Sequence, residues 1–336
     1  MPKSRSVDVV ITWVDSNDPH YFRRLQAHSQ LHGKKHVLSS QLTRYRSCGE
    51  LAYCLRSIMH FMPWVRFIHV VTDAQIPAVF STIADSAWCD RIKQVDHRVL
   101  FRGYEGSLPT FNSISIESML WRIPDLSSQF IYFNDDCFVI RPTNYDDFFV
   151  NDQPVLRGYW RLLNEKRRFN RLFLAYRTMF SRALLGENVD IHRVVQENSA
   201  RRVGMTRCFF NLDHVPFPLL KQTFIDYFDQ HPDALSANIA YPFRDSAQFL
   251  PVSLAYHLNL QDSHPTIDTA LHSISVNPSF HHWSLIKKRL AQVKRDGIRF
   301  VCMQSLDEAS LAQRDFIYQW LDEHIPAFML SSTARH

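Results

Sequence analysis

The stretch Phe130–Ile140, FIYFNDDCFVI, limits what this chain can fold into more than any other. Phe130–Phe133 is a short apolar run of aromatic and branched side chains, the signature of a buried strand. It stops at Asn134-Asp135-Asp136, and a second apolar run, Cys137–Ile140, follows at once. Two adjacent carboxylates between strands are costly to bury without a cation or a set of donors. Two readings fit the fragment. One is a polar turn in which Asp136 caps a bend. The other is a divalent-metal site, because hard oxygen ligands at a strand end suit Mg²⁺ or Mn²⁺ holding a diphosphate.

The chain before this stretch repeats the arrangement. Val7–Val14 reads as a strand and ends in the carboxylate-rich loop Asp15-Ser16-Asn17-Asp18-Pro19. His20 to about Leu31 reads as helix, as does Glu50–Phe61, stopped by Pro63. Val65–Val71 is a second buried strand ending in Thr72-Asp73, and Ile92–Val95 a third. Phe111-Asn112-Ser113 introduces a helix over Ile114–Ile123. Strands separated by helices argue for an α/β sheet covered on both faces. Ligands of such sheets bind beyond the carboxyl ends of the strands, where Asp15, Asp73, Asp135 and Asp136 all fall.

Composition narrows the function. With 8 glycines in 336 residues, and neither a GxxxxGK[ST] nor a GxGxxG pattern, a glycine-rich phosphate loop is excluded. A net charge of +5 suits an anionic ligand, and no basic tract interleaves with aromatics as an RNA-binding sheet would, so no nucleic-acid partner is expected. The six cysteines form no CxxC pair and sit in apolar context, as free thiols of a reducing compartment do. The N-terminal apolar run is short and broken by Asp8, and no stretch reaches the length of a spanning helix. A cytoplasmic protein is expected, with peripheral association at the cytoplasmic face of the membrane as a further expectation.

Beyond residue 150 the pattern turns mainly helical, which divides the chain into an α/β half, 1–150, and a largely helical half, 151–336. Arg157–Arg182 carries eight Lys/Arg against Glu165 alone, with apolar residues near helical spacing. It reads either as a solvated face of a packed helix or as a surface for an anionic polymer or phospholipid head groups. Phe210–Leu219 leads into a helix ending near Gln230, Ile298–Cys302 reads as a late strand, and Leu306–Glu323 as a closing helix.

Several segments resemble the Stealth family. Val7–Pro19, VDVVITWVDSNDP, resembles its opening motif. Arg44–Pro77, with RYRSCGELAYCLRSI, Pro63-Trp64 and VVTDAQIP, resembles its second block, continued by Phe111-Asn112-Ser113, Ile116-Glu117 and Asn134-Asp135-Asp136. His214-Val215-Pro216 and Phe243-Arg244-Asp245 resemble the third. In the fourth, Cys302-Met303-Gln304-Ser305 stands where the family shows a Cys-x-Asn-Asp-like pattern. Stealth proteins are sugar-phosphate transferases, among them bacterial capsule polymerases and the animal enzyme that tags lysosomal glycoproteins. The resemblance implies a mixed, mostly parallel sheet of the nucleotide-sugar transferase (GT-A-like) type. It also implies transfer of a hexose-1-phosphate, such as an N-acetylhexosamine-1-phosphate, from a UDP-sugar to a sugar hydroxyl of a growing capsular or exopolysaccharide. UMP leaves and a phosphodiester remains. The expected partners are the UDP-sugar, an anionic polysaccharide acceptor, and the inner membrane or capsule assembly proteins.

That reaction needs a divalent cation and an arginine to neutralise the diphosphate, and a base for the acceptor hydroxyl. Asp135 and Asp136 are the candidate ligands of Mg²⁺ or Mn²⁺, and either is also a candidate base. His214 is a candidate base or phosphate donor, and Arg244 the phosphate clamp, its planar fork donating to two oxygens at once. Asp15, Arg44, Arg46 and Glu50 are candidates for the nucleotide pocket, and Asn112 and Asn134 for sugar hydroxyls or phosphate. Glu50 also reads as an acid favoured at a helix N-terminus. The alternatives are a metal-dependent glycosyltransferase releasing UDP and a non-catalytic polysaccharide-binding protein. The two halves are expected to close on one cleft.

Overall fold

The structure, a computed structural model, describes residues 6–33, 45–84, 86–166, 191–270, 272–294 and 297–328. Branched apolar runs form the strands at its centre: β1 (Val7–Thr12), β2 (Ile68–Thr72), β3 (Ile92–Asp96) and β4 (Gln129–Asn134). All four run parallel, in the order β4-β1-β2-β3, with Thr12 opposite Asn134. The chain therefore steps outward from β1 to β3 and then returns to the other side of β1. That reversal opens a crevice at the carboxyl ends of β1 and β4, where open α/β sheets bind ligands. Asp15 leaves the first of these ends, and Asp135 and Asp136 leave the second.

At the opposite edge, Asp8 of β1 is fully buried. Arg66 grips it with two bonds of 2.8 and 2.6 Å, and the Ser127 amide donates to it at 2.8 Å. Burial alone would raise this carboxyl, but Arg66, His69 and the Ser127 amide outweigh it and hold Asp8 far below the usual carboxylate range. One acid thus ties together the starts of β1, β2 and β4.

Helix α1 (Pro19–Leu31) starts where the Asp18 side chain caps the His20 amide. Helix α2 (Glu50–Phe61) starts at Gly49, whose φ of +94° suits glycine. Its Leu51, Cys54, Leu55 and Ile58 pack into the larger apolar cluster under β1, β4 and β5 (Cys137–Val139). Helix α3 is shorter than the sequence suggests, Ser113–Glu117, and is followed by a single tight turn at Leu120–Arg122. The Ser118 hydroxyl bonds back to the Ile114 carbonyl and the Trp121 indole to the Ser118 carbonyl, which ends the α-helical ladder early.

Residues after 150 complete the sheets. Arg157–Leu162, expected as helix, lies in strand β6 (Leu156–Leu162), which pairs antiparallel with β7 (Cys208–Leu212). Gly158 explains the departure. Its φ is +153°, and a Cβ there would sit 2.2 Å from the Asn211 carbonyl oxygen. The rest of the basic stretch, 167–182, lies outside the described residues.

Strand β8 (Phe217–Leu220) joins β4 antiparallel at the edge of the central sheet, a place where Pro218 is tolerated. Helix α4 (Lys221–Gln230) follows it. Strands β9 (Ser273–Val276) and β10 (Phe300–Met303) pair parallel, and β10 pairs antiparallel with β5. Helices α5 (Trp283–Ala291) and α6 (Leu311–His324) flank this smaller sheet, α6 opened by a Ser310/Gln313 capping box. The architecture is α/β with a mixed, mostly parallel sheet. Both large apolar clusters draw side chains from each side of residue 150. Among the described residues, no helix is long and apolar enough to cross a membrane.

Candidate active site

The carboxyl ends of β1 and β4 gather acids. Asp135 and Asp136 occupy the turn between β4 and β5, half-buried. Burial, reinforced by the charges of Asp136 and Glu50, raises the Asp135 carboxyl well above its ordinary value. Glu50, at the first turn of α2, is buried and accepts from the Cys48 amide at 2.5 Å. Burial lifts it to about 7, with Asp136 and Asp307 adding to the effect. One oxygen of Asp136, Oδ1, is buried without a hydrogen-bond partner. Acids that repel one another around a buried, unbonded oxygen are costly unless a donor or a cation offsets them. Among the described residues, no three or more His, Cys, Asp or Glu side chains stand close enough to hold a metal by themselves.

His214 reaches this turn from the loop between β7 and β8. Its Nε2 lies 3.8 Å from Asp136 Oδ1 and 3.2 Å from the Gln304 amide. Its backbone oxygen accepts from Ser273 Oγ at 2.9 Å and Cys302 Sγ at 3.3 Å. Burial opposes a charged ring here, but the Cys302 sulfur and the Asp136 carboxylate outweigh it and raise His214 well above its ordinary value. The Met303 amide donates to the Asp136 carbonyl at 2.9 Å, so β10 braces both partners.

Arg244 stands on the other flank. It donates to Ser113 Oγ at 2.6 Å, beside the buried Glu117. Burial lifts Glu117 to about 7, opposed by the Arg244 charge and by bonds to Ser113 and Tyr132. The Tyr132 hydroxyl bridges onward, 3.0 Å from Thr12 Oγ1 and donating to Asn134 Oδ1 at 3.1 Å. It is raised by burial and by Glu117, lowered by Arg244, and raised again by Asp135. Arg244 thus connects to the Asp135 end of β4 through Ser113, Glu117 and Tyr132.

The other sequence candidates separate. Asp15 accepts from the Asn17 amide at 2.9 Å and the Ser47 amide at 3.3 Å, which fixes the loop after β1. Arg46 pairs with Asp307 at 3.7 Å, at the mouth of the acidic turn. Asn112 is fully buried. It caps α3 and donates to Tyr241 and Gln248, so the structure places it under the Arg244 loop with its side chain already bonded. Arg44 lies outside the described residues.

Four side chains at the site had no role assigned from sequence: Glu117, Tyr132, Gln304 and Asp307. An acid amid apolar neighbours, as in SISIESML, was the available signal for Glu117. Gln304 and Asp307 sit in the segment where the family pattern fails, so no motif pointed to them. A surface recess of about 570 Å³, lined by Phe280, His282, Trp283, Ser310 and Gln313, lies beside α5 and α6, and none of the sequence candidates lines it.

Comparison with known proteins places the acidic turn in a matched region. Residues 44–156 match the family model of Stealth protein CR2, conserved region 2, which takes in Glu50 and the Asp135-Asp136 turn. Over this region the chain is similar to the Stealth family. Exopolysaccharide phosphotransferase SCO6023 of Streptomyces coelicolor is 45% identical over 146 residues, 44% of this chain and 23% of that protein. Capsular polysaccharide phosphotransferase LcbA of Neisseria meningitidis is 41% identical over 144 residues, 43% of this chain and 37% of that protein. Exopolysaccharide phosphotransferase SCO2592 of S. coelicolor is 33% identical over 256 residues, 75% of this chain and 25% of that protein. The aligned part of this chain spans about a quarter to two fifths of these curated relatives. The solved galactosyltransferase LgtC with donor and acceptor sugar analogues superposes with a TM-score of 0.43 at 12% identity, over 94% of this chain and 96% of that one.

Proposed function

We propose that this chain is a sugar-phosphate transferase that moves a hexose-1-phosphate from a UDP-sugar to a hydroxyl of a capsular or exopolysaccharide, releasing UMP. The observation that carries the reading is the junction of Glu50, Asp135 and Asp136 at the switch point of the sheet, with His214 set against Asp136. The relatives' names, capsular and exopolysaccharide phosphotransferase, support the reaction class.

The donor set suits a hard divalent cation, Mg²⁺ or Mn²⁺, held by Asp135 and Asp136. Mg²⁺ is commonly bound by one or two carboxylates together with substrate phosphates, so a protein set of fewer than three ligands fits. When bound, that ion neutralises charge on the diphosphate. The chain's own groups do the rest. Arg244 donates its planar fork to phosphate oxygens. Asp15 and Arg46 line the nucleotide side, and Asn134 the phosphate side. The acceptor hydroxyl loses its proton to a carboxylate of the Asp135–Asp136 pair as its oxygen attacks the sugar-linked phosphorus, and the protonated His214 ring donates to a phosphate oxygen. The bond from that phosphorus to the UMP oxygen breaks, and UMP leaves with the electron pair. A cytoplasmic site, where nucleotide sugars are made, and a peripheral position at the membrane accompany this reading.

Incubating the protein with Mg²⁺, a polysaccharide acceptor and a panel of UDP-sugars, and identifying the nucleotide released, tests the proposal. UMP is the expected product. UDP would instead mean cleavage of the sugar C1–O bond, and thus glycosyl transfer. Binding without any nucleotide release would leave a non-catalytic polysaccharide-binding protein.

A further inference from the structure

Cys137 and Cys302 face each other across β5 and β10, and nothing in the proposed chemistry uses them. Their sulfurs lie 3.3 Å apart in a thiol–thiol hydrogen bond, and both side chains are buried. The flanking ladder bonds, Met303 amide to Asp136 carbonyl and Ile140 amide to Arg299 carbonyl, make Cys137–Cys302 a non-hydrogen-bonded cross-strand pair. Cα atoms of such a pair sit about 4.5 Å apart, inside the roughly 4.4–6.8 Å range that a disulfide spans.

We infer that Cys137 and Cys302 form a reversible disulfide that responds to peroxide and acts on the neighbouring acidic turn. Cys302 Sγ borders His214, whose side chain is 33% exposed, so Cys302 is written as the attacking sulfur and Cys137 as the resolving one.

The Cys302 thiolate attacks one oxygen of hydrogen peroxide, the O–O bond breaks, and hydroxide leaves, giving a sulfenic acid. The Cys137 sulfur displaces the sulfenic hydroxyl. In sum, two thiols and one peroxide become a disulfide and two waters, with two electrons passing from the sulfurs to the peroxide. The bond would shorten the sulfur contact from 3.3 Å to about 2.05 Å. It would also remove the Cys302 contact to the His214 carbonyl. Cys137 directly follows Asp136, and Cys302 lies two residues before Gln304. Closure therefore pulls on the acidic turn and on the strand that positions His214. The effect on turnover rests on the transferase reading; formation of the bond does not.

The test treats the folded full-length protein with hydrogen peroxide, alkylates it under denaturing conditions, and maps unreduced peptides by mass spectrometry. The expected result is a linked Cys137–Cys302 peptide lighter by two hydrogens and removed by dithiothreitol, with titratable thiols falling from six to four. Cys137→Ala should abolish the linked peptide. If both cysteines stay alkylatable, oxidise singly to sulfinic acid, or link to Cys54 instead, the inference is overturned. If the disulfide forms but nucleotide release is unchanged, its proposed action on the site is wrong even though the bond is real.

Discussion

Asp135→Ala will lower sugar-phosphate transfer by about 10²–10³-fold, the usual cost of removing one charge-stabilising group from such a site. It will also raise the melting temperature. The two effects share a cause. Asp135 is half-buried, and burial, reinforced by the charges of Asp136 and Glu50, pushes its carboxyl well above the ordinary range, so the folded state carries a desolvation and repulsion cost that the unfolded chain lacks. Removing the charge relieves that repulsion and takes away a ligand at once. A purely structural turn would behave oppositely, losing stability and leaving turnover near normal. Thermal melts in metal-free buffer and initial rates with Mg²⁺ separate the two accounts.

Arg244→Ala should lose a similar factor, about 10²–10³ in rate. Arg244→Lys should recover only part, since an ammonium keeps the charge but not the two-pronged donation. A second readout follows from Glu117. Its carboxyl sits at about 7 in the folded protein against an ordinary 4.5. Between those values the folded state binds the proton that the unfolded chain has released, so stability falls as pH rises through the window. At about 1.4 kcal/mol per unit, the full decline is about 3 kcal/mol. Arg244 is the charge that limits this shift. Without it Glu117 rises further, and the decline in stability continues to higher pH. Denaturant melts of wild type and Arg244→Ala from pH 5 to 9 check this. Superimposable pH profiles would show that Arg244 does not act on Glu117.

The central sheet was legible because its strands are fully buried. VDVVIT, IHVVT and QFIYFN are continuous apolar runs broken by one or two polar residues, and each ends in a polar switch. The strand ends then placed Asp15 and the Asp135-Asp136 turn at one edge. Strand β6 was not legible. LRGYWRL carries both a basic and an aromatic pattern, and its extended form depends on a long-range contact between Gly158 and the Asn211 carbonyl. Strand β8 was hidden by Pro216 just before it and Pro218 within it, which local rules read as a loop and an edge position tolerates. At the site, His214 meets Asp136 as the motifs suggested, whereas Asn112 proves to be a buried cap. Local spacing cannot distinguish an asparagine that binds a ligand from one that ends a helix. Glu117 sits beside the Arg244–Ser113 bond, which spans 131 residues, and Gln304 meets His214 across 90, so both depend on partners that only the fold brings near.

The account rests on a divalent cation seated at the carboxyl ends of β1 and β4. Electron paramagnetic resonance of Mn²⁺ titrated into the protein with a UDP-sugar tests that most directly. The predicted result is one bound Mn²⁺ per chain in the wild type, lost when Asp135 and Asp136 are both changed to asparagine in a variant that remains folded. Undiminished Mn²⁺ binding by that double variant, or none by the wild type, would contradict it.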